Sequence, residues 1–239
     1  MKDFKSEGIV FRSVKYGDSS LILEILTREK GLRSFIVSGV KGSKGRSKAA
    51  IYQHLNILHL LAYDKQEKLA RIKEVNINHV YHSLTFDVIK SSLGLFILEV
   101  CRNAIKEYEA NEEVYDFIKG KLVDLDQEEN KENLGLFHIR FMLEFSKLIG
   151  FLPNNNFDDR NRYFDMLNGV FITDPLQKYA SSFPVSKAIS ELLATHSESN
   201  TKYSKPLRNE ILDDLVIYYR LHMDIFGELK SLSVLRSIF

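Results

Sequence analysis

Cysteine is almost absent from this chain of 239 residues, because Cys101 is the only one. A disulfide within the chain is therefore excluded, and a reducing compartment is expected. Long apolar runs are absent as well: no window approaches the roughly eighteen uninterrupted apolar residues of a membrane span. Residues 1–7 also lack the apolar centre of a signal peptide. The sequence therefore predicts a cytoplasmic protein that is not inserted in a membrane.

Acidic residues are missing from residues 30–63, a stretch of thirty-four positions that carries six Lys or Arg. Four of these cations lie in residues 41–48, which we call the basic segment, at Lys41, Lys44, Arg46 and Lys48. A field of one sign raises the local concentration of phosphates and releases their condensed counterions. The segment therefore predicts a polyanionic partner.

The formal net charge of +1 conceals a division along the chain. Residues 1–80 contain 15 basic and 8 acidic side chains, a net charge of +7, which leaves 18 basic and 24 acidic for residues 81–239, a net charge of −6. Such asymmetry is typical of a part that faces nucleic acid joined to a part with another role. We expect two domains, residues 1–80 and residues 81–239.

Motifs for catalysis and metal binding are absent. Gly39, Gly42 and Gly45 are not spaced as in a Walker loop, since Val40 and Arg46 occupy the places of its first glycine and its lysine. The seven histidines do not combine with cysteine or carboxylates at ligand spacing, and there is no nucleophile elbow. We therefore expect a protein that is not an enzyme and holds no cofactor or metal.

The first eighty residues alternate β-branched or aromatic residues with polar ones between glycine turns, which predicts five strands. One of these strands is expected over residues 52–63. Five short strands suit a closed barrel of the oligonucleotide-binding (OB) kind. An SH3-like barrel or a simple meander fits the same periodicity.

From residue 83 onward the apolar period becomes helical. Asn133 is a candidate cap for a helix that ends near Ile149, and Asn168-Gly169 predicts the turn of a short hairpin. The fold class is thus α+β: an N-terminal OB-fold barrel followed by an all-α C-terminal domain with a short hairpin insertion.

Further cations of the predicted barrel could extend the cationic surface of the basic segment, namely Arg12, Lys15, Arg33 and Arg71. Tyr16, Phe35 and Tyr52 are candidates for stacking on bases, although aromatic rings in a barrel more often belong to its core.

Five stretches of the chain resemble the RecO family of DNA repair proteins. They are residues 8–23 (GIVFRSVKYGDSSLIL), 26–31 (LTREKG), 39–44 (GVKGSK), 141–153 (FMLEFSKLIGFLP) and, more weakly, 218–222 with 229–231. The resemblance spans nearly the whole chain, and its N-terminal part is the most specific.

This resemblance implies an OB-fold, a helical C-terminal domain and a non-enzymatic role in recombinational repair near the nucleoid. Members of the family bind single- and double-stranded DNA, anneal complementary strands, and help RecR, with or without RecF, to load RecA on DNA coated by single-stranded-DNA-binding protein. The matching positions for DNA contact are Arg12, Lys15, Arg33, Lys41, Lys44, Arg46 and Lys48.

The resemblance also implies that the helical domain docks the acidic, phenylalanine-ended tail of single-stranded-DNA-binding protein. The candidate cations for its carboxylates are Arg140, Lys202, Lys205 and Arg208. Many members carry a cysteine zinc module after the central helix, but residues 154–172 contain no cysteine. The hairpin around Asn168 is therefore expected to be metal-free.

Two rival functions differ from this interpretation. A protein-binding adaptor could use the barrel to bind acidic proteins or RNA. A nuclease would need clustered carboxylates for a divalent metal near the basic surface, and residues 30–63 contain none.

Overall fold

The computed structural model describes residues 2–40, 49–64, 69–194 and 202–239. The chain forms two compact units, residues 1–127 and residues 128–239. Strands give way to helices between His79 and Val88. A domain boundary at residue 80 stays a prediction.

Five strands of the first unit close into a barrel in the order β1-β2-β3-β5-β4. They are β1 (Lys2–Tyr16), β2 (Ser20–Thr27), β3 (Gly31–Ser38), β4 (Ile57–Asp64) and β5 (Ala70–His79). Antiparallel pairing of β1 with both β2 and β4 closes the barrel, and β3 pairs with β5 in parallel. The predicted OB-fold is confirmed.

Alternation of apolar and polar residues explains the barrel core. In β2, Leu21, Leu23 and Ile25 are buried, because successive side chains of a strand point to opposite faces. The prediction of a strand from residue 52 is wrong in its first part. Residues 49–51 are helical, turns follow, and the fourth strand begins only at Ile57.

Two helices complete the first unit, α1 (Val88–Ala104) and α2 (Glu112–Gln127). Asp87 caps α1 by accepting hydrogen bonds from the backbone N–H groups of Ile89 and Lys90. Helix α1 packs against both β1 and α2, so the barrel and these helices share one compact unit.

The second unit contains, among its described residues, the helices α3 (Lys131–Leu148), α4 (Phe183–Ala194), α5 (Lys205–His222) and α6 (Leu232–Ile238). Asn130, rather than the predicted Asn133, caps α3. Helix α5 packs against α3 and α4, and the Tyr219 hydroxyl donates to the Met142 carbonyl at 2.6 Å. Within the described ranges, no helix is long and apolar enough to cross a bilayer.

A short hairpin lies between α3 and α4, with strands β6 (Tyr163–Asp165) and β7 (Val170–Ile172). The Asn156 side chain binds both backbone groups of Phe171, which packs against Phe164. Gly169 has φ +65°, as the turn requires. In the parts of the chain that the structure covers, no three His, Cys, Asp or Glu side chains are placed to hold a metal ion. The expectation of a metal-free hairpin stays a prediction.

Candidate nucleic-acid interface

The basic segment, with Lys41, Lys44, Arg46 and Lys48, lies outside the described residues. Its neighbours on both sides are held against β1 and the turn that follows it. The backbone N–H groups of Gly39 and Val40 donate to the Ser19 carbonyl at 2.9 and 3.0 Å, and Leu55 N–H donates to the Val10 carbonyl at 3.0 Å. Described residues on both sides of the basic segment therefore contact the second half of β1 or the turn that follows it.

That half of β1 carries two of the predicted DNA-binding residues, Arg12 and Lys15. Both are exposed. They are three residues apart in the part of β1 that pairs with β2 in regular register, and they therefore point to opposite faces. Arg12 lies directly opposite Glu24 of β2, and Arg12 Nη1 is 3.2 Å from Glu24 Oε1. Only Arg12 shares a face with this carboxylate.

Arg33 differs from the prediction, because its side chain is buried. The residue is 7% exposed, and its guanidinium carbon lies 4.8 Å from the centroid of the Tyr108 ring. A cation packed on a ring in this way binds an aromatic face rather than solvent. Arg33 is thus placed to stabilise the unit and not to contact DNA.

The three candidate stacking rings also differ in exposure. Phe35 and Tyr52 belong to the barrel core, and burial raises the pKa of Tyr52 to about 12. Neither ring is available to a base. Tyr16 is 56% exposed at the end of β1, and Arg71 of β5 is exposed as well.

Arg102, in the last turn of α1, is the residue of this surface that sequence reasoning missed. Its Nε and Nη2 atoms donate to Oε2 and Oε1 of Glu24, the latter at 3.0 Å. The two residues are 78 positions apart, so no sequence pattern links them. The only local indication is a basic residue at a helix C-terminus, which interacts favourably with the helix dipole.

Glu24 is the centre of this arrangement, since it accepts from both Arg12 and Arg102. Burial alone would raise the pKa of its carboxyl, but hydrogen bonds from both guanidinium groups and their charges outweigh burial and lower it. Glu24 is therefore ionised at neutral pH, and its negative charge offsets part of the positive charge of Arg12 on the exposed face of β1.

The four predicted partner-binding cations lie in the second unit around Tyr203 and the end of α6. Arg208 donates to the backbone oxygens of Tyr203 at 2.7 Å and Phe239 at 3.1 Å. Lys205 donates to the Ser237 carbonyl at 3.3 Å. Lys202 pairs with Glu132, and the charge of Arg140 acts on the Tyr203 phenol.

The single cysteine offers no nucleophile. Cys101 is fully buried in α1, and burial raises the pKa of its thiol well above the ordinary value. A thiol kept protonated and out of solvent is a core residue.

A closed five-stranded barrel with exposed cations on its strands, continued by helices, defines this chain as an OB-fold protein with a helical C-terminal half. The N-terminal model of the recombination protein O family matches residues 1–81, and its C-terminal model matches residues 85–232.

Curated relatives named DNA repair protein RecO are similar over nearly their full length. Identity is 34% with the protein of Flavobacterium psychrophilum, 31% with that of Christiangramia forsetii and 32% with that of Phocaeicola vulgatus. Each alignment covers 98% of this chain and 98% of the relative. The chain belongs to the recombination protein O family of DNA repair proteins.

Proposed function

We propose that this protein is a recombination mediator that binds single- and double-stranded DNA and anneals complementary strands. The basic segment and Arg12 bind the phosphate backbones of two strands and lower the repulsion between them. With RecR, and with or without RecF, the protein then assists loading of RecA on DNA coated by single-stranded-DNA-binding protein. No covalent step is needed.

The observation that carries this proposal is the cation-rich, acid-free stretch of residues 30–63. The described residues on either side of its basic segment are hydrogen-bonded to Ser19 and Val10, and the exposed Arg12 and Lys15 lie between these two positions in the chain. An OB-fold is a frequent scaffold for oligonucleotide binding, and the family membership points to DNA repair. Arg33 is left out of the proposed DNA contacts because it is buried against Tyr108.

The test is annealing of two complementary fluorescent oligonucleotides, each precoated with the cognate single-stranded-DNA-binding protein, across a salt series. We expect the protein to accelerate annealing without nucleotide or metal. The logarithm of the affinity for a single strand should fall with the logarithm of salt by about 0.7 per phosphate contacted.

A fourfold charge reversal, Lys41→Glu, Lys44→Glu, Arg46→Glu and Lys48→Glu, should abolish both binding and annealing. A matched control makes the same change in net charge at exposed cations elsewhere: Lys106→Glu, Lys147→Glu, Arg160→Glu and Lys178→Glu. The control should keep most of the activity. Equal losses in the two variants would reduce the effect to overall charge and contradict the assignment of the basic segment.

We further propose that the cations around Tyr203 dock the acidic, phenylalanine-ended tail of single-stranded-DNA-binding protein. A fluorescent peptide of that chemistry should bind the intact protein. Arg140→Gln and Lys202→Gln should weaken binding by a few-fold each, since each removes a charged partner for a carboxylate. A peptide that binds all variants equally would place the docking site elsewhere.

The same annealing assay tests the adaptor hypothesis. An unstructured acidic peptide that displaces oligonucleotides efficiently, in a protein that does not accelerate annealing, would favour a barrel that binds acidic proteins or RNA.

A further inference from the structure

Glu24 is shared unequally by the two arginines that flank it. Arg102 binds both carboxylate oxygens of Glu24 with two different nitrogens. Arg12 makes one hydrogen bond to this carboxylate, from Nη1 to Oε1 at 3.2 Å. A bidentate guanidinium–carboxylate pair is stronger and more directional than a single contact. Arg102 is therefore the main partner of Glu24.

Both arginines are exposed, whereas the carboxylate that they share is not. The side chain of Arg12 is 51% exposed and that of Arg102 is 42% exposed, but that of Glu24 is 15% exposed. Arg12 thus retains donors that face solvent on β1, two residues from Val10, whose carbonyl accepts from Leu55 on one side of the basic segment.

Arg102 is a poor candidate for direct phosphate contact because carboxylates surround it. The hydrogen bond to Glu24 raises the pKa of its guanidinium against a lowering by burial, and the charges of Glu24, Glu107 and Glu99 raise it further. A phosphate that approached Arg102 would meet these negative charges as well. Its position at the C-terminal end of α1 further favours a fixed cation there.

We propose that Arg102 is a positioning residue for DNA binding: it binds and neutralises Glu24, so that Arg12 makes a single contact with this carboxylate and its other donors can bind a backbone phosphate. This inference rests on the proposed function. Without Arg102, the carboxylate would turn to Arg12 as its remaining cation and compete with DNA. Glu24 is then an internal competitor of phosphate, and Arg102 relieves that competition.

A double-mutant cycle tests this inference. The affinity of the full chain for a fluorescent oligothymidine is measured across a salt series for the wild type, Arg12→Gln, Arg102→Gln, Glu24→Gln and the double variant Arg102→Gln/Glu24→Gln. We expect Arg12→Gln and Arg102→Gln each to weaken binding by about threefold to tenfold and to reduce the salt slope by about 0.7, the loss of one phosphate contact. Glu24→Gln should strengthen binding.

The decisive comparison is the effect of Arg102→Gln in the wild type with its effect in the Glu24→Gln variant. Once Glu24 is neutral, removal of Arg102 should leave both the affinity and the salt slope unchanged, because no carboxylate remains to compete for Arg12. An equal loss in both backgrounds would show that Arg102 contacts DNA itself and would overturn the inference. An unchanged affinity of the single variant Arg102→Gln would overturn it too.

Arg28→Gln is the matched control. Arg28 also forms a bidentate pair, with Asp116 of α2 at 3.0 and 2.9 Å, but on another part of the unit. The Arg28→Gln substitution should not change DNA affinity. Thermal unfolding should show that all variants are folded at the assay temperature. A wild-type chain that binds no oligonucleotide would overturn the proposed function, whereas binding without the predicted coupling would overturn this inference alone.

Discussion

Arg33 of β3 packs its guanidinium carbon 4.8 Å from the centroid of the Tyr108 ring. Tyr108 belongs to the segment that follows α1, and its backbone N–H donates to the Leu32 carbonyl at 3.2 Å. The segment thus lies along β3, and it helps to join the barrel and the first two helices in one compact unit. Arg33 contributes to this packing through its guanidinium, which lies over the Tyr108 ring, and through its buried aliphatic chain.

Arg33→Gln should therefore reduce stability more than DNA affinity. Loss of the buried cation–π contact should lower the free energy of unfolding by about 1–2 kcal/mol. Urea denaturation measures this change, and Arg12→Gln, which alters an exposed side chain, should stay within about 0.5 kcal/mol of the wild type. Oligonucleotide affinity should fall more for Arg12→Gln than for Arg33→Gln. A stable Arg33→Gln variant with weakened DNA binding would show that Arg33 contributes to DNA contact.

Gly31 should be more sensitive to substitution than Gly17, although both have positive φ, +67° and +60°. A Cβ on Gly31 would lie 2.3 Å from the Glu109 carbonyl oxygen, whereas a Cβ on Gly17 would meet nothing within 4 Å. Gly17→Ala should cost about 1–2 kcal/mol for the left-handed backbone alone. Gly31→Ala should cost at least about 2 kcal/mol more, because backbone must also move. Equal denaturation midpoints would contradict the close approach of the 105–110 segment to β3.

Asp126 should be one of the most sensitive polar residues of the first unit. Its buried carboxylate accepts from the backbone N–H groups of His82, Ser83 and Leu84 at 2.9, 2.8 and 2.7 Å. Lys90 Nζ donates to the Asp126 carbonyl oxygen at 2.6 Å. We expect Asp126→Asn to lower the free energy of unfolding by about 3 kcal/mol, because the amide removes the negative charge and places an NH2 group where one carboxylate oxygen accepts from a backbone N–H group.

Asp116→Asn is the control for Asp126. Asp116 is an exposed partner of Arg28, and such surface pairs contribute about 0–1 kcal/mol. Similar destabilisation by the two substitutions would mean that the buried Asp126 carboxylate has no special role.

His138 should make the second unit sensitive to mild acid. Burial, with a contribution from the charge of Arg208, lowers the pKa of His138 to about 3, and the ring stacks on Phe239. In the unfolded chain the imidazole takes up a proton near pH 6.5, whereas in the folded chain it stays neutral until the pH approaches 3. The stability that comes from keeping His138 neutral is therefore complete above pH 6.5 and is lost as pH falls toward 3.

Between pH 7 and pH 5, this single group should lower the free energy of unfolding by about 2 kcal/mol. His138→Phe keeps an aromatic ring without a titratable group. Denaturation at the two pH values should show the wild type losing about 2 kcal/mol more than this variant. Equal losses of stability in the wild type and in His138→Phe would mean that His138 is not the group responsible for the pH dependence.

Features that depend on neighbours in the chain could be predicted from the sequence. Alternation in residues such as Leu21, Leu23 and Ile25 indicated the strands, and Asn168-Gly169 indicated the hairpin turn that the structure contains. The OB-fold followed by helices was likewise predicted. The fine local errors have local causes: Asn130 and Asn133 are both good caps in the same stretch, and periodicity alone could not separate a helical turn at residues 49–51 from the start of β4.

The sequence by itself determined the acid-free stretch, the strand and helix periods and the family to which the chain belongs, because each depends on the order of residues along the chain and not on which residues meet in space. Only the tertiary structure decided which cations face solvent. Arg33 turned out to be packed on Tyr108, and Arg12 to share Glu24 with Arg102, 78 positions from that glutamate. Barrel closure and the packing of α1 on β1 bring these groups together, and the energy of a charge depends on such neighbours and on burial rather than on its place in the sequence.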